Sequence, residues 1–185
     1  MDHSDHVALL REGVTPAPGR WADLGSGEGA FTLALADLLG PGGQVTAVDK
    51  RSASLAQLSA LVRTQFPRTQ LQTLAADFTR PLDLSGLDGV VMANSLHFIR
   101  EKEKPEVLAR VREMLRPGGR LVMVEYGADR GNLWVPHPFS YPRWEEMAAG
   151  AGFAATRLLA TVPSRFLGSI YSAVSERPAT GAVTG

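Results

Sequence analysis

The nine residues Trp21-Ala22-Asp23-Leu24-Gly25-Ser26-Gly27-Glu28-Gly29 constrain this chain more than any other stretch. A short apolar run ends in alternating glycines, and an amphipathic segment begins at once. Gly25 and Gly27 remove side chains where a ligand must approach the backbone, and they permit positive φ in a tight turn. The segment that follows, Gly29–Leu39, places Phe31, Leu35, Leu38 and Leu39 on one helical face. A helix starting here presents unpaired N–H groups to whatever lies over the turn. Asp49 closes the next apolar run, 20 residues beyond Gly29. A carboxylate at that place can accept both hydroxyl hydrogens of a ribose.

The rest of the chain repeats this alternation. Strands are expected at Trp21–Leu24, Val45–Val48, Leu71–Ala75, Val90–Ala93, Leu121–Glu125, Ala154–Thr161 and Ile170–Ser175. Helices are expected at Gly29–Leu39, at Ala53–Phe66 with Ser52 as its cap, around Leu108-Val111-Leu115 behind Pro105, and at Pro142–Ala151. Pro117-Gly118-Gly119 reads as the stop of the third of these. Such alternation predicts a doubly wound α/β sheet with helices on both faces. Ligands bind such sheets beyond the carboxyl ends of the strands, where strand order reverses. Chemistry-bearing residues are therefore sought just after each strand.

At 185 residues there is room for one complete α/β domain. The absence of cysteine excludes disulfides, thiolate metal sites and cysteine nucleophiles. Net charge is zero, and the arginines are scattered and flanked by acids, so nothing calls for a nucleic-acid partner. The run Arg100-Glu101-Lys102-Glu103-Lys104 is mixed in sign and reads as a solvated loop and helix start. No apolar run reaches the length of a membrane span, and Met1–Arg11 is too polar for a signal peptide, so a cytoplasmic protein without membrane contact is expected. His3, His6 and His137 are not spaced as metal ligands, and no metal site is expected.

Five motifs in order resemble the class I S-adenosylmethionine-dependent methyltransferases. Trp21–Gly29 is similar to that family's first motif, with Asp23 two residues ahead of the glycines. Val48-Asp49-Lys50 resembles its ribose-binding step, and Ala76-Asp77-Phe78 its adenine-contacting step. Met92-Ala93-Asn94-Ser95-Leu96-His97 resembles the fourth-strand motif beside the methionine end of the cofactor. Leu115-Arg116-Pro117-Gly118-Gly119-Arg120-Leu121 resembles the turn into the fifth strand. The resemblance implies a seven-stranded sheet in the order 3-2-1-4-5-7-6 with the last strand antiparallel. It also implies one Rossmann-like domain over residues 1–176 and a short helix within Asp2–Gly13 over the cofactor mouth, while the tail at 177–185, Pro-, Thr-, Gly- and Ala-rich without periodicity, is expected to be disordered. S-adenosylmethionine is the implied cofactor and S-adenosylhomocysteine the product. Its implied holders are Asp23, Gly25, Ser26, Gly27, Asp49, Lys50, Asp77, Phe78, Asn94 and Ser95.

Departures from the family pattern narrow the acceptor. Asn94 stands where many members carry an acid, and no aromatic-proline pair follows it, unlike enzymes that methylate base amino groups. Lack of cysteine argues against cytosine C5 and arsenite methylation. A small-molecule acceptor is the leading expectation, with protein or RNA acceptors open.

Methyl transfer is an in-line displacement, and an acceptor that must lose a proton is helped by a nearby base. His97, just after the fourth strand, is the candidate base, with a loop-holding structural histidine as the alternative. Tyr126–Trp144 is a long segment at the functional edge, holding Trp134, Phe139, Tyr141 and Trp144 among Gly and Pro. Trp134 and Tyr126 are the candidate acceptor contacts, whereas Trp144 is expected to pack in the next helix. Two other readings stay open on sequence alone. Gly25-Ser26-Gly27-Glu28-Gly29-Ala30 satisfies the dinucleotide fingerprint of a nicotinamide-dependent oxidoreductase, although Glu28 would repel a pyrophosphate and no Tyr-x-x-x-Lys pair exists. A cofactor-binding module without turnover would share the same turn and acids.

Overall fold

Seven strands hydrogen-bond in the order β3-β2-β1-β4-β5-β7-β6 in a computed structural model that describes residues 1–14, 18–164 and 166–179. Along the chain these are β1 (Arg20–Leu24), β2 (Gln44–Asp49), β3 (Gln70–Ala75), β4 (Leu87–Ala93), β5 (Leu115–Tyr126), β6 (Ala154–Pro163) and β7 (Ser169–Glu176). The first five run parallel, and β7 pairs antiparallel with both β5 and β6. Order and direction match the doubly wound arrangement expected from sequence. The reversal of order falls between β1 and β4, which puts the cleft beyond their carboxyl ends.

Helices α1 (His3–Arg11), α2 (Ala30–Leu39) and α3 (Ser52–Gln65) cover one face. Trp21, Val45, Val91, Val122 and Val124 meet Leu9, Leu10, Leu35 and Leu39 there, and Ala47 meets Leu55, Leu58 and Val62. Gly89 has no side chain because the Trp21 ring occupies that space, 2.3 Å from where a Cβ would stand. Helices α4 (Lys104–Met114) and α5 (Tyr141–Gly150) cover the other face over β4, β5 and β7. Ala22, Val90, Met92, Leu121 and Met123 pack on Leu108, Val111 and Trp144. No helix lies in the connection from β3 to β4, so that face of β2 and β3 stays open. The sequence complies with Gln44, Gln70 and Gln72 at alternate, exposed positions.

Several boundaries differ from the sequence reading. Ser52 is the first residue of α3 rather than its cap, and Arg51 takes the cap position without a side-chain bond. The Asp49 carboxylate accepts the Arg51 N–H at 2.9 Å and shapes the entry from two residues ahead. Pro117-Gly118-Gly119 lies inside β5, since α4 already ends at Met114 and Leu115 pairs with Leu87. Glu176 closes β7, and Arg177, assigned by sequence to a disordered tail, is docked. Its backbone pairs with Gly118 and Gly119, and its guanidinium reaches the Arg112 carbonyl at 3.1 Å, capping the end of α4. Residues 180–185 of that tail lie outside the described residues. The N-terminal helix is present, started by a reciprocal capping box between Asp2 and Asp5.

Candidate active site

The glycine turn is tied to β2 before any ligand is considered. Gly25 and Ser26 both donate their N–H to the Val48 carbonyl, at 2.8 and 3.0 Å. Gly27 donates to Oδ2 of Asp49 at 2.8 Å. Asp49 is thereby fixed at the carboxyl end of β2, one oxygen on the turn and the other on Arg51. Gly25 has φ +81°, and a Cβ there would stand 2.6 Å from the Ser95 Cβ. The turn can therefore approach β4 only because that position is glycine.

A cleft of about 700 Å³ opens over this turn. Gly25, Ser26, Gly27, Asp49, Lys50, Asp77, Phe78, Asn94 and Ser95 all line it, from the ends of four strands. The sequence expectation for a cofactor surface is thus gathered in one place, with a single correction. Asp23 does not line the cleft; it is buried beneath α2, accepting from the Thr32 hydroxyl at 2.6 Å. Its side chain alternates to the helix-covered face along with Trp21, away from the opening. Burial pushes its carboxyl up to about 6, against the pull of the Thr32 hydrogen bond. His6 reaches the rim from α1, and Met1 from just ahead of it, as the helix over the mouth was expected to.

The electrostatics of the rim are paired. Lys50 Nζ lies 2.9 Å from Oδ2 of Asp77. Burial by itself would raise the Asp77 carboxyl, but the hydrogen bonds from Lys50 and from the Thr79 hydroxyl and N–H outweigh it and hold it at about 2. Asp77 is ionised at any working pH, an acceptor only.

Three polar atoms on the cleft residues have no partner among the described residues: Ser26 Oγ, Asn94 Oδ1 and Ser95 Oγ, all buried. Asn94 also holds a left-handed backbone at φ +50°. Buried polar atoms are almost always satisfied, and strained non-glycine residues persist where the surroundings demand them. All three stand on residues that line the cleft, a side-chain rotation away from a polar ligand seated there. These donors and acceptors, the bare turn and the Asp49 carboxylate fit a nucleoside carrying an amino-acid tail.

Beyond Ser95 the chain turns in a short 3₁₀ segment, Leu96–Phe98, that carries His97. The imidazole is buried, with Nδ1 2.8 Å from Oε2 of Glu125. The His97 N–H donates to Oε1 of the same carboxylate at 3.1 Å, and the Tyr126 N–H to Oε2 at 3.2 Å. Glu125 is fully buried, and sequence reasoning did not single it out for the site. An acid closing the apolar run Leu121–Val124 was the available signal. Its two oxygens grip His97 at backbone and ring together, and they select the tautomer with the proton on Nδ1.

The acceptor candidates separate. Tyr126 is buried with its ring edge-on to His97 at 5.6 Å, so it steadies the imidazole and offers no open face. Trp134 is 74% exposed on the segment between β5 and α5. Its turn is held by Asn132 Oδ1, which accepts from the N–H groups of Trp134 and Val135. Phe139 and Trp144 are fully buried and pack together, as expected for Trp144. Arg100, Glu101, Lys102 and Glu103 are exposed, as expected of that charged run, but Lys104 at the helix start is fully buried.

Fold and site define a Rossmann-like nucleoside-binding domain with a buried histidine–carboxylate pair beside its cleft. Comparison with known proteins takes the assignment further. The methyltransferase domain family matches residues 22–121, more than half of the chain, and the chain belongs to that family. A reducing polyketide synthase from Penicillium is 28% identical over 166 residues, covering 77% of this chain and 7% of that protein. A carboxy-S-adenosyl-L-methionine synthase from Psychrobacter is 28% identical over 120 residues, covering 61% of this chain and 43% of that protein. The chain thus spans less than half the length of these curated relatives. Among solved structures, the Burkholderia thailandensis 1,6-didemethyltoxoflavin-N1-methyltransferase with bound 1,6-didemethyltoxoflavin and S-adenosylhomocysteine superposes with a TM-score of 0.74 at 19% identity. That match covers 95% of this chain and 78% of the other. A Methanosarcina mazei S-adenosylmethionine-dependent methyltransferase gives 0.72 at 16% identity, covering 92% and 97%. S-adenosylmethionine is the cofactor that family and fold together imply, and the cleft fits it.

Proposed function

We propose that this chain transfers a methyl group from S-adenosylmethionine to a small molecule that must give up a proton, with His97 as the base. The observation that carries the reading is the His97–Glu125 pair, two residues beyond the Ser95 wall of the cleft. When bound, the cofactor supplies an electrophilic methyl on a cationic sulfur. Asp49 takes the ribose hydroxyls, Asp77 and Phe78 the adenine, and Asn94 and Ser95 the methionine end. Glu125 holds the Nδ1 proton, so the lone pair on Nε2 is the one free to accept a proton from an acceptor hydroxyl, or from an acidic N–H or C–H. The second proton then makes an imidazolium, and the buried carboxylate offsets its charge without changing place. Trp134 offers an aromatic face to a flat acceptor. No helix among the described residues is long and apolar enough to cross a membrane, and we place the reaction in the cytoplasm.

Titration calorimetry with S-adenosylhomocysteine tests the cleft, and Asp49→Ala should lower affinity at least about tenfold, the loss of one charged hydrogen-bonding partner. A panel of phenols, N-heterocycles and β-dicarbonyl compounds then tests the chemistry. On whichever acceptor turns over, His97→Gln should retain cofactor affinity and lose about a hundredfold or more in rate. A wild-type chain that binds no S-adenosylhomocysteine, or a His97→Gln enzyme of undiminished rate, overturns the proposal.

A further inference from the structure

Lys104 is one of three lysines in the chain, and it opens α4 with no exposure to solvent. Such a placement is unfavourable twice over. Desolvation opposes a buried ammonium, and the first turn of a helix is the positive end of its dipole. Burial accordingly lowers its pKa, against the opposing pull of Glu101 and Glu125. A methionine would fill the same volume at less cost, so the reason for a charge has to be found in what the ammonium touches.

Nζ donates to the His137 carbonyl at 2.7 Å and to Oε1 of Glu101, and it lies 4.6 Å from the centroid of the Phe139 ring. The other side of the same residue is also held, because the His137 N–H donates to the His97 carbonyl at 3.0 Å. His137 is therefore gripped between Lys104 and the turn that carries His97. Glu101 extends the linkage to Arg143 on α5, at 3.2 Å. One cation thus holds the segment bearing Trp134 directly and the His97 turn through the His137 peptide.

We propose that Lys104 is a positioning residue, pinning the segment 127–140 against the His97 turn through the His137 peptide and so holding the His97 ring in place against Glu125. The inference rests on His97 being the base. Its own signature is independent of any acceptor. With Nδ1–H held by a buried carboxylate, the wild-type protein should show a far-downfield imidazole proton in its NMR spectrum and a protected His137 amide.

In Lys104→Met the imidazole resonance should broaden or vanish and the His137 amide should exchange about tenfold faster. Affinity for S-adenosylhomocysteine should stay within about twofold, whereas the melting temperature should fall, since the His137 carbonyl loses its buried donor. A merely structural lysine would lower the melting temperature in the same way but leave the imidazole signal and the His137 protection intact. Lys104→Arg, which keeps charge and donors, should restore the resonance. Survival of both signals in folded Lys104→Met overturns the proposal. Should that variant not fold, reductive methylation of the native protein decides: Lys50 and Lys102 should react and Lys104 should not, and equal reactivity of all three overturns it. A chain that loses both signals yet binds no S-adenosylhomocysteine would instead remove the methyl-transfer reading and leave the clamp standing.

Discussion

Asp23 should be a residue that the folded protein would be more stable without. Its carboxyl is 1% exposed, accepts one hydrogen bond from Thr32 and stands near the charge of Asp49. Folding lifts it from an ordinary 3.8 to about 6. The folded state therefore binds more protons than the unfolded chain between those two values, and stability contributed here is lost as pH rises through that window. By pH 7.5 the loss approaches about 3 kcal/mol, the difference between the two values at 1.36 kcal/mol per pH unit. At about pH 5 the unfolded carboxyl is ionised but the folded one is largely neutral, and the loss is about 2 kcal/mol. Asp23→Asn removes both. Whatever fixed cost the amide carries is the same at either pH, so the comparison isolates the titration. The melting temperature of the variant relative to wild type should be more favourable at about pH 7.5 than at about pH 5 by roughly 2 to 4 °C, from about 1 kcal/mol at this chain length. Thermal melts of both proteins at the two pH values suffice. Equal differences at both, or a larger relative gain at the acid one, would refute the reasoning and show that Asp23 is charged and compensated in the folded state.

Gly25→Ala should abolish S-adenosylhomocysteine binding and cost roughly 2 to 3 kcal/mol of stability, because the new Cβ meets Ser95 at 2.6 Å on a backbone at φ +81°; calorimetry and melts read the two effects. Trp134→Ala should leave the melting temperature unchanged, within about 0.5 kcal/mol, since the ring is mostly in solvent. Its effect should appear as a raised KM for the acceptor at constant cofactor affinity, and a substantial fall in stability would mean that the ring packs rather than waits.

The parts of this site that sequence made legible are those built from neighbours along the chain. A glycine turn behind an apolar run, a carboxylate at the end of the next run and an acid-aromatic pair after the third carry their own geometry. Each lies at the end of a strand, and parallel pairing in register brings those ends together. Asp23 belongs to the same motif and was misplaced, because alternation along β1 turns its side chain toward Thr32 rather than the cleft. The motif specifies which residues cluster, and the pleat decides which of them face the ligand. Boundaries slipped wherever a distant partner extended an element, as Leu87 and Arg177 do for β5.

The proposed base and its supports were legible in only one residue of several, and the reason is distance along the chain. His97 announces itself by following a strand, whereas Glu125 is 28 residues away and reads as the tail of an apolar run. Lys104 sits in an alternating charged run that solvation explains well enough, until α4 folds its first turn inward against Phe139. Neither residue has a local reason to be buried; both are tied to the His97 turn, Glu125 directly and Lys104 through the His137 peptide. A buried carboxylate without its donors, or a buried ammonium without its acceptors, is costly, so the turn and its two supports stand or fall as a unit. Glu125→Gln and Lys104→Met should therefore be non-additive in their effect on the His97 imidazole resonance, the double variant resembling either single one. Independent losses would mean that the carboxylate and the ammonium serve His97 separately.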